Sequence, residues 1–120
     1  MKIILLLSAF LFTTFSLHAQ QVSNLPPGRY ETKIRDFNWE KGDIELIDAH
    51  HYKISSAGDT GEYRFSVAAQ RIFFTSGPLK GVYARTQMIS NSPGIFIPMN
   101  ENQQLGFKLA PGDIVGRFRN

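Results

Sequence analysis

Ser76, the adjacent pair His50-His51 and a scatter of aspartates are the side chains whose types could assemble nucleophilic or acid-base catalysis. A hydrolase needs a nucleophile, a base and an orienting group that meet in space. The types are present, but the local signature is not. There is no Gly-x-Ser-x-Gly elbow, and Ser76 precedes Gly77-Pro78 in a turn without a recognisable oxyanion arrangement. The chain therefore reads as non-enzymatic, and a histidine within hydrogen-bond reach of Ser76 is the observation that would reverse this.

The histidine pair makes a poor metal site for a geometric reason. Neighbours on a strand point their rings to opposite faces, so the two cannot readily grip one ion, and a third ligand is missing. Asp48-Ala49-His50-His51 reads instead as a polar hairpin with one ring half-buried. Asp59-Thr60-Gly61-Glu62 is too sparse in oxygen ligands for a calcium loop. Neither a metal nor a cofactor is expected.

Candidates for ligand binding are Trp39, Tyr83 and Arg85. Trp39 lies in the polar connection Asp36 to Gly42, where a large amphipathic ring either lines a pocket mouth or plugs the end of the fold. Tyr83 with Arg85, and Phe118 between Arg117 and Arg119, mix aromatic and basic groups in the way that stacks on single-stranded nucleic acid. Any half-exposed strand shows the same alternation, and the charge is too small to argue for nucleic acid.

The elements that must position these groups read as strands. Turn signals recur at Pro26-Pro27-Gly28, Lys41-Gly42-Asp43, Gly58 to Gly61, Ser76-Gly77-Pro78, Ser92-Pro93-Gly94 and Pro111-Gly112-Asp113. Between them, residues alternate with period two. Tyr30, Thr32 and Ile34 share one face, as do Ile44 with Leu46, Tyr52 with Ile54, Tyr63 with Phe65, and Ile114 with Gly116 and Phe118. Ile72-Phe73-Phe74 and Ile95-Phe96-Ile97 are apolar on both faces, which predicts central strands or strands covered on both sides.

About eight strands are predicted: 28–37, 43–47, 51–55, 62–67, 71–75, 82–89, 94–98, and 105–109 or beyond. Helical turns fit near Val67 to Gln70 and Pro78 to Lys80, but no window demands a helix in the mature chain. The expected fold is all-β, a small antiparallel barrel whose closure removes exposed edges, with a β-sandwich as the alternative.

Gly61-Glu62-Tyr63-Arg64-Phe65, a short turn, and then Phe74-Thr75-Ser76-Gly77-Pro78-Leu79-Lys80-Gly81 resemble a pattern of small exported bacterial β-domain proteins of unassigned function. Gly28-Arg29-Tyr30 and Tyr52 occupy the places of that family's upstream Gly-x-Tyr and tyrosine. The likeness spans most of the mature chain and rests on the string Phe-x-Ser-Gly-Pro-x-x-Gly. Family members often carry cysteines and this chain has none, so a role that depends on a disulfide does not transfer. Physically the string reads as a turn connector: Gly77 takes a positive φ, Pro78 bars continuation of the ladder, and Gly81 restarts the next strand.

Residues 1–19 carry the clearest functional signal. Lys2, an apolar run from Ile3 to Phe15, and Ala19 before the expected cut have the three parts of a secretory leader, although Leu17 is larger than such sites prefer. Thr13-Thr14 and Ser16 interrupt the run before the ~20 apolar residues that a membrane span needs. The expected organisation is a cleaved signal helix at 1–19, a linker at 20–27 and one β domain at 28–120. Cleavage removes Lys2, so 12 basic and 10 acidic residues leave a charge of +2.

With no cysteine, an exported domain of this size must hold by packing alone. The expectation is a periplasmic or secreted, non-enzymatic barrel that binds a small apolar or amphipathic ligand. The alternative is a structural or protein-interaction module of the cell envelope, with a hydrolase third. No nucleic acid and no lasting membrane span are expected as partners. An interior filled by side chains would exclude an internal pocket.

Overall fold

The computed structural model describes residues 21–55, 58–107, 110 and 112–119. The predicted leader, Gln20, and Lys108-Leu109 of the predicted last strand lie outside the described residues.

The chain is a closed antiparallel barrel. Its strands are β1 (Gly28–Ile34), β2 (Phe37–Asn38), β3 (Ile44–Leu46), β4 (His51–Ile54), β5 (Thr60–Ser66), β6 (Arg71–Phe74), β7 (Tyr83–Ile89), β8 (Ser92–Ile97) and β9 (Ile114–Arg119). β1 pairs with β3, each of β3 to β8 pairs with the next, and β9 returns to β1, with Arg29 opposite Arg119 and Ile34 opposite Ile114. The short β2 is an extra strand on β1, paired at Lys33↔Asn38 and Ile34↔Phe37.

The alternation in the sequence sets which side chains fill the barrel. Tyr30, Thr32, Ile44, Leu46, Tyr52, Ile54, Tyr63, Ile72, Phe74, Ala84, Ile95, Ile97 and Ile114 are all buried. Tyr52 packs edge-on against Phe74 at 4.8 Å between ring centroids. That packing places aromatic and branched side chains on the inner face of the barrel.

Several local expectations are corrected. Ile72-Phe73-Phe74 is a central strand, β6 between β5 and β7, but is not covered on both sides: Phe73 faces outward and is 45 % exposed. Ser92-Pro93-Gly94 is the start of β8 and not a turn. The turn lies one step earlier, where Ser90 (φ 50) and Asn91 (φ 67) both adopt the left-handed backbone that a tight hairpin of this hand requires. Leu105 and Gly106 form a turn where a strand was expected, and the last strand begins at Ile114.

A short helix, α1 (Met99–Gln104), fills the place between β8 and β9. No apolar period announces it. It is held by Asp113 Oδ1, which accepts the Met99 amide at 2.8 Å, and by Asn102. The Asn102 side chain accepts from the Tyr83 amide and donates to the Tyr83 and Pro98 carbonyls, standing in for a strand neighbour at the start of β7.

The predicted linker packs onto the barrel. Val22 and Leu25 are buried, and Gln70 clamps Val22 by both backbone groups: its Oε1 accepts the amide at 2.8 Å and its Nε2 donates to the carbonyl at 2.8 Å. Residues 21–27 thus form a strap across one end.

Candidate functional site

The Ser-Gly-Pro string sits where β4, β5 and the β6–β7 connection meet. Tyr52 stands opposite Gly61 in the ladder, and its ring lies where a side chain at Gly61 would go. The Tyr52 hydroxyl donates to the Ser76 carbonyl at 2.8 Å and accepts the Leu79 amide at 2.7 Å. Gly61 and Gly77 lie against each other so closely that a methyl group on either would collide with the other's backbone. Gly77, at φ +84, also needs the left-handed conformation.

Ser76 is committed to this junction. Its Oγ accepts the Glu62 amide at 2.9 Å, while Thr75 donates to the Glu62 carbonyl from both its amide and its hydroxyl. Among the described residues no histidine hydrogen-bonds to Ser76. The upstream Gly-x-Tyr repeats the pattern: a side chain at Gly28 would meet the Phe118 ring at 2.9 Å, and Tyr30 donates to the Pro26 carbonyl at 2.9 Å.

His50 and His51 lie on the exposed β3–β4 hairpin. Asp48 organises it. Its Oδ1 accepts both histidine amides, at 2.8 and 2.9 Å, and also contacts the His51 ring nitrogen Nδ1 at 2.8 Å. The His50 amide first, and then the His51 ring, hold the Asp48 carboxyl below the usual carboxylate range. His51 Nε2 faces Glu62 at 3.8 Å. Among the described residues no cluster of histidine, aspartate and glutamate suits a metal ion.

The three predicted binding residues are not brought together. Trp39 is 2 % exposed and belongs to the core, where it plugs the barrel, and its indole N–H has no partner among the described residues. Its backbone is fixed by the hydrogen bond that its amide donates to the Thr32 carbonyl at 3.0 Å. Tyr83 and Arg85 lie on the outer wall. The Tyr83 hydroxyl accepts Nε of Arg71 at 2.7 Å and Nε of Arg85 at 2.9 Å, and Arg71 also lies over the Tyr83 ring. Arg85 continues to Glu101 of α1 at 2.5 Å. The hydrogen bond that Arg85 donates to Tyr83, and then the Glu101 carboxylate, hold the guanidinium more firmly protonated than usual. This is a wall brace that ties α1 to the sheet.

The concave feature that sequence reasoning missed is at the strap end. An open groove of about 610 Å³ runs between the strap (Ser23, Asn24, Leu25, Pro27), the hairpin tip (Ala49, His50) and β5 (Tyr63, Arg64, Phe65). Its volume lies within the ~300–1,000 Å³ usual for small-molecule sites. Leu25, Pro27, Ala49, Tyr63 and Phe65 make it largely apolar, and Ser23, Asn24, His50 and Arg64 supply polar groups.

Tyr63 donates to the Asp48 carbonyl at 2.8 Å, which fixes the hairpin as one wall. Burial pushes the Tyr63 phenol up to about 12, so it remains a donor at neutral pH. The only sequence signal for this groove was the alternation of β5. The strap wall arises from residues 21–27 folding back, which no periodicity marks. No family model, curated protein or solved structure matches the chain.

Proposed function

We propose that this chain is an exported, non-enzymatic barrel that binds a small amphipathic ligand in the groove at its strap end. Export is supported by the composition of residues 1–19. The observation that carries the binding reading is the groove of about 610 Å³, apolar in most of its lining and polar at His50, Arg64 and Asn24. The commitment of Ser76 to backbone bonding weighs against hydrolysis. The likeness to small exported β-domain proteins agrees with this placement and adds no ligand.

A thermal-shift screen of the exported chain against ten-carbon alcohols, acids and amines tests the reading. At least one class raises the melting temperature of the native chain and leaves Ala49→Trp, whose indole fills the groove, unmoved. Equal shifts in both proteins, or none across the panel, overturn it. The envelope-interaction reading rests on the outward Phe73 and Val67, 45 % and 43 % exposed. Substituting both with serine abolishes a partner's binding in that case and leaves the thermal shifts intact.

A further inference from the structure

We infer that the occupant of the strap-end groove is a single-chain amphiphile with an anionic head, carboxylate or phosphate, gripped by Arg64. The inference rests on the groove reading above and adds the sign of the ligand's charge.

Arg64 differs from most strand cations of this barrel. Arg29 lies 3.3 Å from Asp43, Lys53 3.3 Å from Glu45, Arg119 3.1 Å from Glu31, and Arg85 reaches Glu101. The Arg64 side chain, exposed on β5, forms no ion pair or hydrogen bond with a described residue, although it lines the groove.

The acids nearest in sequence and ladder approach His51 and form no ion pair with Arg64. Asp48 is held by two amides and the His51 ring, and Glu62, two residues back on the same outer face of β5, stands beside His51 Nε2. Arg64 also lines a second hollow of about 330 Å³ with Phe65, Phe73 and Thr75. It therefore stands at the boundary of two apolar depressions with its guanidinium unpaired among the described residues.

A planar guanidinium with five donors fits the oxygens of a carboxylate or phosphate in a two-point grip. An apolar tail then lies along Leu25, Tyr63 and Phe65. A neutral head forfeits the grip, and a cationic head is repelled.

Isothermal titration of the exported chain with decanoate, decyl phosphate, decanol and decyltrimethylammonium tests this. Decanoate or decyl phosphate binds at least tenfold more tightly than decanol, with decyltrimethylammonium weakest, and the better of the two anions identifies the head. Arg64→Gln brings the anions to the level of decanol and leaves decanol unchanged, while Arg64→Lys keeps part of the preference. Equal binding of decanol and the anions overturns the charge assignment and leaves the groove reading standing. An anion preference that survives Arg64→Gln overturns the role of Arg64. Failure of all four probes to bind in a folded protein overturns the groove reading, and this inference with it.

Discussion

The two sides of the barrel are built by different means. On the β9–β1 side the ladder runs unbroken from Arg29 opposite Arg119 to Ile34 opposite Ile114, and β8 continues it from Gly94 to Ile97. On the other side β3 meets β4 only from Ile44 opposite Ile54 to Leu46 opposite Tyr52, and β4 meets β5 only from His51 to Lys53.

Side chains complete what these short ladders leave open. Asp43 accepts the Thr32 amide, the Thr32 hydroxyl accepts the Ile44 amide, Ser55 accepts the Asp43 amide, and Tyr52 and Tyr63 reach across to backbone carbonyls. A wall of backbone ladder is uniform. A wall stitched by side chains can be shaped, and the larger groove lies on the stitched side.

The contrast can be broken most forcefully at glycine. Gly61→Ala drives a methyl group into the Ser76 carbonyl, the Tyr52 ring and Gly77, and we expect a loss of about 3 kcal/mol. Gly116→Ala on the laddered side meets Thr32 and Tyr30 atoms at 3.4 Å, an ordinary contact, and should cost under about 1 kcal/mol. Urea midpoints of the two variants check this, and equal losses would mean that the two sides do not differ in tolerance.

Next in size is the loss of one hydroxyl. Tyr52→Phe strands both the Ser76 carbonyl and the Leu79 amide, for about 2 kcal/mol, whereas Tyr30→Phe frees only the Pro26 carbonyl, for about 1 kcal/mol. The same denaturation experiment reads both.

The smallest effect is a dependence on alkaline pH. Tyr63 holds its proton up to about 12 in the fold, against about 10 in an unfolded chain. Its contribution is whole below pH ~10 and is lost as the pH rises through 12, because the unfolded chain then releases a proton that the fold retains. Tyr63→Phe removes that share, so its stability falls less steeply between pH 9 and 12.

The barrel itself was legible in the sequence because period-two alternation is a direct consequence of strand geometry, and the inward faces read for Tyr30, Tyr52, Tyr63 and Ile114 are those that are buried. The turn reading of Ser76-Gly77-Pro78 was legible too, since a positive φ has few solutions. Trp39 was not: a ring in a polar stretch enters the core only because Thr32 and Asp43 hold the connection against β1. Helix α1 escaped because Asp113 holds its first amide from outside and its own Asn102 is tied to the Tyr83 backbone of β7, and the groove escaped because the strap is fixed by Gln70, 48 residues away along the chain. Long-range side-chain bonds leave no local periodicity.

The clamp of Gln70 on Val22 makes the groove separable from the barrel. One wall of the groove is built from residues 23 to 27, which belong to no strand ladder before Gly28. Proteolytic trimming that reaches Leu25 would therefore strip the groove of a wall, and the core of Val22 and Leu25, while removing no residue of any strand pair.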